Sequence, residues 1–191
     1  MNTEIIIKCT DPVKALKELN EIIERNSVYP ERGIKLEHKL RKKLHMQDID
    51  ILQMMKEIES RLGDTENETF GRADEWKEMK TVNDVMVKVA SFATSNILHM
   101  ATTEEGSLML LKMIALQEHL VSADQEISLE DDVQTLELDS LDCLQLMAKV
   151  EEAFDCPATE SAFREEWNDI QKVGDFVEDI KAYALKRLAT A

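Results

Sequence analysis

Ser140 is the residue whose sequence surroundings best suit chemistry on a hydroxyl group. It is the only serine with an aspartate before it, an apolar residue after it and an amphipathic stretch following. The pattern through Phe154 predicts a helix that begins at Ser140, with Asp139 as N-cap and Asp142 completing a capping box. Backbone N–H groups and the positive end of the helix dipole stabilise negative charge at such a start. Ser140 could therefore carry a phosphate-linked group.

The stretch 136–154 resembles the attachment site of acyl carrier proteins, in which the serine of an Asp-Ser-Leu triplet carries 4′-phosphopantetheine. The resemblance implies that this cofactor is attached covalently to Ser140, with Asp139 and Leu141 as flanking residues of the site. It also implies that acyl groups travel as thioesters on the arm. The matching residues are Asp139, Ser140, Leu141, Asp142, Leu144, Glu151 and Glu152.

Two positions depart from the family pattern. Gln145 stands where an acidic residue is common, and Glu137 replaces a frequent glycine. Neither change touches the modification chemistry, but both could alter the choice of partner. An unmodified Ser140 that serves only at the start of the helix is the alternative.

The predicted helix has two apolar faces when its residues are placed at about 100° intervals. The wider face is typical of core packing and comprises Cys143, Leu146, Met147, Val150 and Phe154. The narrower face, Leu141, Leu144 and Ala148, is flanked by carboxylates and suits docking into a groove with basic residues. Packing of Leu141 and Leu144 under the preceding loop is the alternative. The predicted docking residues are Asp142, Leu144, Ala148, Glu151 and Glu152.

The chain contains an internal repeat. A shift of 92 residues aligns Leu44 with Leu136 and, further along, a shift of 91 aligns Glu75-Trp76 with Glu166-Trp167. A paired tryptophan in the same order and at nearly the same offset is hard to attribute to chance, so we expect two copies of one fold. The predicted architecture is all-α, with two tandem acyl-carrier-like four-helix bundles in residues 1–94 and 95–191. Other identical pairs are Asp50/Asp142, Leu52/Leu144, Gln53/Gln145, Met55/Met147, Glu59/Glu151, Val82/Val173 and Asp84/Asp175.

Each copy is predicted to have four helices joined by loops. Five glycines and three prolines in 191 residues favour helices over a β architecture. The segments 4–9 and 97–100 are apolar and could be short strands or helix extensions. The predicted helices span about 12–26, 48–62, 73–79 and 82–93 in the first copy, and 104–121, 140–154, 161–169 and 173–188 in the second.

The first copy lacks the attachment serine. It has Gln47-Asp48-Ile49 where the second has Asp139-Ser140-Leu141, and a carboxylate cannot form the phosphodiester. We therefore expect an unmodified copy in which Asp48 caps the helix. Upstream lies a basic patch that is either a solvated loop or a contact for the acidic helix of the second copy. It comprises Lys39, Arg41, Lys42 and Lys43.

The charge of the chain is unevenly distributed. The net charge is −16, of which residues 1–95 contribute −2 and residues 96–191 contribute −14. Such an acidic second half disfavours nucleic acid and anionic membranes as partners and favours proteins with basic patches. The chain shows neither a membrane-spanning apolar run nor a signal-peptide pattern. Three cysteines without CxxC spacing suggest reduced thiols and a cytoplasmic location.

These observations predict a carrier rather than an enzyme. The four histidines are scattered, and neither a catalytic constellation nor a metal-ligand spacing is present, so we expect no catalytic and no metal residues. The expected role is acyl transport for fatty acid, polyketide or specialised lipid synthesis. Expected partners are a phosphopantetheinyl transferase and acyl-transferring or condensing enzymes with basic docking patches. The alternative is an unmodified helical protein-interaction module that uses the carrier fold.

Overall fold

The computed structural model describes residues 3–28, 33–63, 73–156 and 170–190. Regular structure in these ranges is helical, with two isolated antiparallel bridges and no strand, which confirms the predicted all-α class. The helices are α1 (Thr3–Lys8), α2 (Pro12–Asn26), α3 (Asp48–Leu62), α4 (Ala73–Glu78), α5 (Val82–Met100), α6 (Glu104–Gln117), a 3₁₀ helix (Val133–Leu136), α7 (Ser140–Ala153) and α8 (Val173–Thr190).

The chain divides into two compact units, Met1–Thr94 and Ser95–Ala191. Helix α5 contains residues of both units. No helix in the described ranges is long and apolar enough to cross a membrane.

The first unit is built around α3. Asp11 caps α2 by accepting hydrogen bonds from the N–H groups of Val13 and Lys14, at 2.9 and 3.0 Å. Helix α3 packs against α1, α2 and α4. The apolar stripe predicted for α3 is confirmed as core, because all five of its residues are buried: Ile51, Met54, Met55, Ile58 and Leu62.

The second unit is built around α6. Helix α6 packs against α7 and α8, and the side chain of Thr103 caps its start by accepting a hydrogen bond from Gly106. At the end of α7, the ring of Phe154 stacks on that of Tyr183 with centroids 5.4 Å apart. Burial of Phe154 joins α7 to α8 and fixes the position of the helix that begins at Ser140.

The two units share a frame of loop hydrogen bonds at equivalent positions. In the first unit, the loop before α3 pairs with the residues that lead into α5, and the antiparallel bridge Lys39–Thr81 forms there. In the second unit, the loop before α7 pairs with the residues that lead into α8, and the bridge Asp132–Lys172 forms there. Because these are backbone bonds, they show which residue of the first unit corresponds to which residue of the second without reference to the side chains. The matched N–H to carbonyl bonds are Leu40→Lys80 and Val133→Gln171, Val82→His38 and Val173→Asp131, and Asn83→Leu36 and Gly174→Leu129.

Most of the predicted helix boundaries agree with the structure. The bounds predicted for α2 and α3 are confirmed, and the ambiguous segment at 4–9 contains the short helix α1. The prediction that Asp48 caps α3 is wrong, because Gln47 is the N-cap and Asp48 is the first helical residue. The predicted helix 161–169, with Trp167, lies outside the described residues.

Two helix ends differ from prediction for identifiable reasons. Helix α5 continues to Met100 rather than ending near Ala93, because the following residues include no glycine or proline that would stop it. Helix α6 ends at Gln117 rather than near 121. His119 there adopts the left-handed conformation with φ of 60°, and Leu120 N–H bonds back to the Ala115 carbonyl, as in a Schellman motif.

Candidate functional site

Ser140 is the first residue of α7 and is exposed. The carboxylate of Asp139 accepts hydrogen bonds from the N–H groups of Leu141 and Asp142, at 2.7 and 3.0 Å. Asp142 in turn accepts from the N–H of Asp139 at 3.0 Å, so the predicted capping box is confirmed. The reciprocal bonds define where the helix starts and therefore where the serine is presented.

The carboxylate beside Ser140 is held in its charged form. The pKa of Asp139 is lowered because the backbone N–H groups of Asp142 and Leu141 donate to it. At neutral pH a negative charge therefore occupies the cap position directly before the serine. The Asp139 carboxylate accepts hydrogen bonds from two N–H groups at the helix start, and the Ser140 side chain is exposed to solvent.

The turn before the site uses a strained backbone conformation. Glu137, directly after the 3₁₀ helix, has φ of 61°, in the left-handed region that favours glycine. Glu137 thus stands where the backbone conformation favours glycine, the residue that the resemblance leads one to expect at this position. His45 adopts the same conformation, with φ of 54°, before the central helix of the first unit.

A cavity of about 700 Å³ opens beside Ser140. Its wall combines apolar residues of α7 and α8 with polar residues of the 3₁₀ helix and the loop before α8. Within the core stripe predicted for α7, Cys143 is buried and Met147 is half-buried, and both line this cavity. The lining residues are Asp132, Val133, Gln134, Thr135, Leu138, Asp139, Ser140, Cys143, Met147, Ile170, Gln171 and Phe176.

The cavity could not be anticipated from the helix pattern. Gln134 and Thr135 contribute polar groups from the 3₁₀ helix and Gln171 from the loop before α8, and neither segment has a sequence period that would reveal them. An elongated group attached at Ser140 and containing both amide and apolar portions fits a cavity with this mixed lining. The residues present are therefore compatible with a phosphopantetheine arm.

Cys143 contributes a thiol to the cavity, one helical turn after Ser140. Its pKa is raised by burial, and further by the negative charges of Asp142 and Asp139. The protonated thiol is a weak nucleophile, which agrees with the prediction of a packing residue rather than a reactive one.

The exposed face of α7 presents leucines to solvent. Leu141 is 71% exposed and Leu144 43% exposed, and Ala148 and Glu152 are also exposed, whereas Asp142 and Glu151 are half-buried. An exposure of 71% does not fit packing of Leu141 under the preceding loop. The face thus carries apolar side chains with carboxylates around them.

A carboxylate from the C-cap of α6, Glu118, joins this face, which the sequence did not reveal. The side-chain amide of Gln145 donates to Glu118 at 3.0 Å, although the two residues are 27 positions apart. Lys149 lies 3.7 Å from Glu118 and 3.1 Å from Glu152. Glu118 therefore brings an acidic group next to the position where the helix itself has a glutamine.

The position equivalent to Ser140 in the first unit is Asp48, which forms an ion pair with Arg41. The guanidinium of Arg41 donates to Asp48 at 2.8 and 3.3 Å. It also donates to the carbonyl oxygens of Met79 and Lys77, both at 2.8 Å. One member of the predicted basic patch is thus engaged within its own unit, while Lys39 and Lys42 are exposed.

Within the described ranges, no group of three or more histidine, cysteine, aspartate or glutamate side chains is placed to hold a metal ion.

Comparison with known proteins gives a match for the second unit. Residues 107–177 match the family model described as phosphopantetheine attachment site. Neither the curated proteins nor the solved structures gave a match.

Proposed function

Residues 107–177 form a phosphopantetheine attachment domain, consistent with the acyl carrier protein family, and on this basis we propose that Ser140 is the attachment residue of an acyl carrier. Domains of this kind carry covalent 4′-phosphopantetheine, are generally non-catalytic and act with partner enzymes. The predicted cofactor is thus confirmed at the level of the domain. The arm supplies a thiol to which an acyl group is joined as a thioester.

The presentation of Ser140 carries this proposal. The residue is exposed at the first position of α7, its helix start is fixed by the Asp139–Asp142 capping box, and a cavity opens beside it. A transferase needs a hydroxyl that it can reach without unfolding the domain. Asp139 and Leu141 then serve to position and flank the attachment point.

The proposed partner surface is the exposed face of α7. Leu141 and Leu144 can enter an apolar groove, while the surrounding carboxylates attract basic residues at its edge. The surface is completed by Asp142, Ala148, Glu151 and Glu152, and Glu118 adds a carboxylate from the C-cap of α6. The proposed partners are a phosphopantetheinyl transferase and acyl-transferring or condensing enzymes with basic docking patches.

We further propose that the chain is a tandem protein, with a degenerate carrier-like domain at 1–94 and the carrier domain at 95–191. Three observations support this: the sequence repeat, the equivalent loop hydrogen bonds, and the left-handed residues His45 before α3 and Glu137 before α7. The proposed setting is the cytoplasm, in fatty acid, polyketide or specialised lipid synthesis.

A protein-interaction module without a prosthetic group is the second candidate. The first unit favours it, because Asp48 replaces the serine and is held by Arg41. The first unit keeps its helices with an aspartate at this position, which supports a role that does not depend on the arm.

Intact mass distinguishes the two functions. The full chain is co-expressed with a broad-specificity phosphopantetheinyl transferase, together with Ser140→Ala and, as a control, Ser122→Ala at another exposed serine of the second unit. The proposal expects one added arm in the wild type and in the control, and none in Ser140→Ala. An arm that persists in Ser140→Ala, or the absence of an arm with several transferases, would contradict it.

A further inference from the structure

The first unit differs from the second by more than the missing serine. The shared loop hydrogen bonds make Leu40 equivalent to Val133, and therefore Arg41 equivalent to Gln134, a lining residue of the Ser140 cavity. Arg41 is thus at the position that borders the cavity in the second unit. Its side chain is long enough to cross that space.

Arg41 reaches three separate segments of the first unit. It is anchored to the start of α3 through Asp48, to the end of α4 through the Lys77 carbonyl, and to the following loop through the Met79 carbonyl. Asp48 is equivalent to Ser140 and Met79 to Ile170, and both of these line the cavity of the second unit. The guanidinium therefore ties together the segments whose counterparts form the cavity mouth.

The first-unit residues equivalent to apolar lining residues of the cavity are more buried than their counterparts. Met46 is 2% exposed and its counterpart Leu138 is 9% exposed. Ile51 is 1% exposed, whereas Cys143 is 7% exposed. The same ordering holds for two further pairs, in which the first-unit residue is buried and its counterpart half-buried: Met55/Met147 and Met79/Ile170.

We propose that Arg41 is a strap that closes the first unit over the position equivalent to the Ser140 cavity. Unbranched methionine side chains fill the space, and the guanidinium holds the surrounding segments over them. The first unit is therefore a closed bundle that admits neither a prosthetic arm nor a small apolar ligand. This inference concerns the first unit and stands whether or not Ser140 is modified.

Cysteine accessibility tests the strap in the full chain. A reporter thiol is introduced by Ile51→Cys, at the position equivalent to Cys143, and its reaction with uncharged N-ethylmaleimide is followed by peptide mass spectrometry. The same reporter is combined with Arg41→Gln and, as a matched loss of charge in the same loop, with Lys42→Gln. Native Cys9 reports on global opening of the unit, because it is fully buried and burial raises its pKa to about 12.

The strap predicts selective opening. Arg41→Gln should raise the reaction rate at position 51 about tenfold, because it removes charged hydrogen bonds whose strength is reduced by partial exposure. Lys42→Gln should leave this rate unchanged, and Cys9 should stay unreactive in both variants. An unchanged rate in Arg41→Gln, an equal rise in Lys42→Gln, or a parallel rise at Cys9 would each overturn the proposal.

Amide hydrogen exchange gives a reading that does not need the reporter. The Met46 N–H donates to the Leu40 carbonyl at 3.0 Å, next to Arg41 in the chain. Its exchange should accelerate in Arg41→Gln and not in Lys42→Gln. Equal protection of this amide in the wild type and Arg41→Gln would refute the strap even if the reporter variant failed to fold.

Discussion

Helix α7 allows docking and folding to be separated by two substitutions of the same kind. Leu141 is 71% exposed and Leu146 is 2% exposed, and they lie five positions apart on one helix. Truncation of each to alanine removes the same atoms from opposite faces. Proposed docking depends on Leu141, whereas the core depends on Leu146.

The structure sets the expected magnitudes. Leu146→Ala should lower the free energy of unfolding by about 2–5 kcal/mol, since it leaves a cavity in a packed core. Leu141→Ala should change it by less than about 0.5 kcal/mol, because the side chain is mostly in water already. If a partner groove buries the exposed part of Leu141, the loss of three carbons at about 0.8 kcal/mol each, scaled by its 71% exposure, removes about 1.7 kcal/mol of transfer free energy, which corresponds to about a twentyfold lower kcat/KM.

Two assays on the same preparations decide the matter. Urea unfolding measures stability, and the rate of arm transfer by a phosphopantetheinyl transferase measures docking, at a temperature where both variants are folded. The reasoning requires Leu141→Ala to lose transfer rate without losing stability. Unchanged kcat/KM in Leu141→Ala, or a loss of stability equal to that of Leu146→Ala, would refute it.

Three further predictions follow from individual contacts. The pKa of Asp139 is lowered by the backbone N–H groups of Asp142 and Leu141, so its contribution to stability is present above its unfolded pKa of about 4 and lost as pH falls through the lower folded pKa. In Asp139→Asn, the melting temperature should therefore fall less steeply as pH is lowered through this range than in the wild type. The same fall in both proteins would contradict the contribution of the Asp139 charge to stability. Glu118→Gln should raise the KM of the transferase severalfold at low salt with little change in kcat, and a wild-type KM would exclude a docking role. Glu137→Gly should raise stability by about 0.5–1 kcal/mol, since relief of about 1–2 kcal/mol of left-handed strain exceeds the added backbone entropy of glycine; a drop in the urea midpoint would argue against strain.

Features set by local sequence could be predicted. The capping box depends only on Asp139 and Asp142 at a spacing of three, and the bounds of α3 follow from an apolar period that ends before Gly63. Gly63 has φ of 78°, which suits the residue that follows a helix. Such local signals gave the start of α7 and with it the position of Ser140.

Features set by distant contacts could not be predicted. The link between Gln145 and Glu118 joins α7 to the C-cap of α6, and the Arg41 network joins residues up to 38 positions apart. Asp48 was expected to cap α3 because it is a favoured capping residue, yet the chain enters the helix one residue earlier and Asp48 pairs with Arg41 instead. The 3₁₀ helix and the loop before α8 have no hydrophobic period, so the sequence gave no sign of the cavity that they line beside Ser140.

The raised pKa of Cys143 has a consequence for the thioester that the proposed function places beside it. A thiolate in the same cavity could attack the carbonyl carbon of the thioester, so that a new carbon–sulfur bond forms, the bond to the arm breaks and the thiol of the arm leaves. Burial and two neighbouring carboxylates keep the Cys143 sulfur protonated, so that this misdirected transfer is slowed. Asp139 and Asp142, which form the capping box, would thereby also slow the loss of an acyl group from the arm to Cys143.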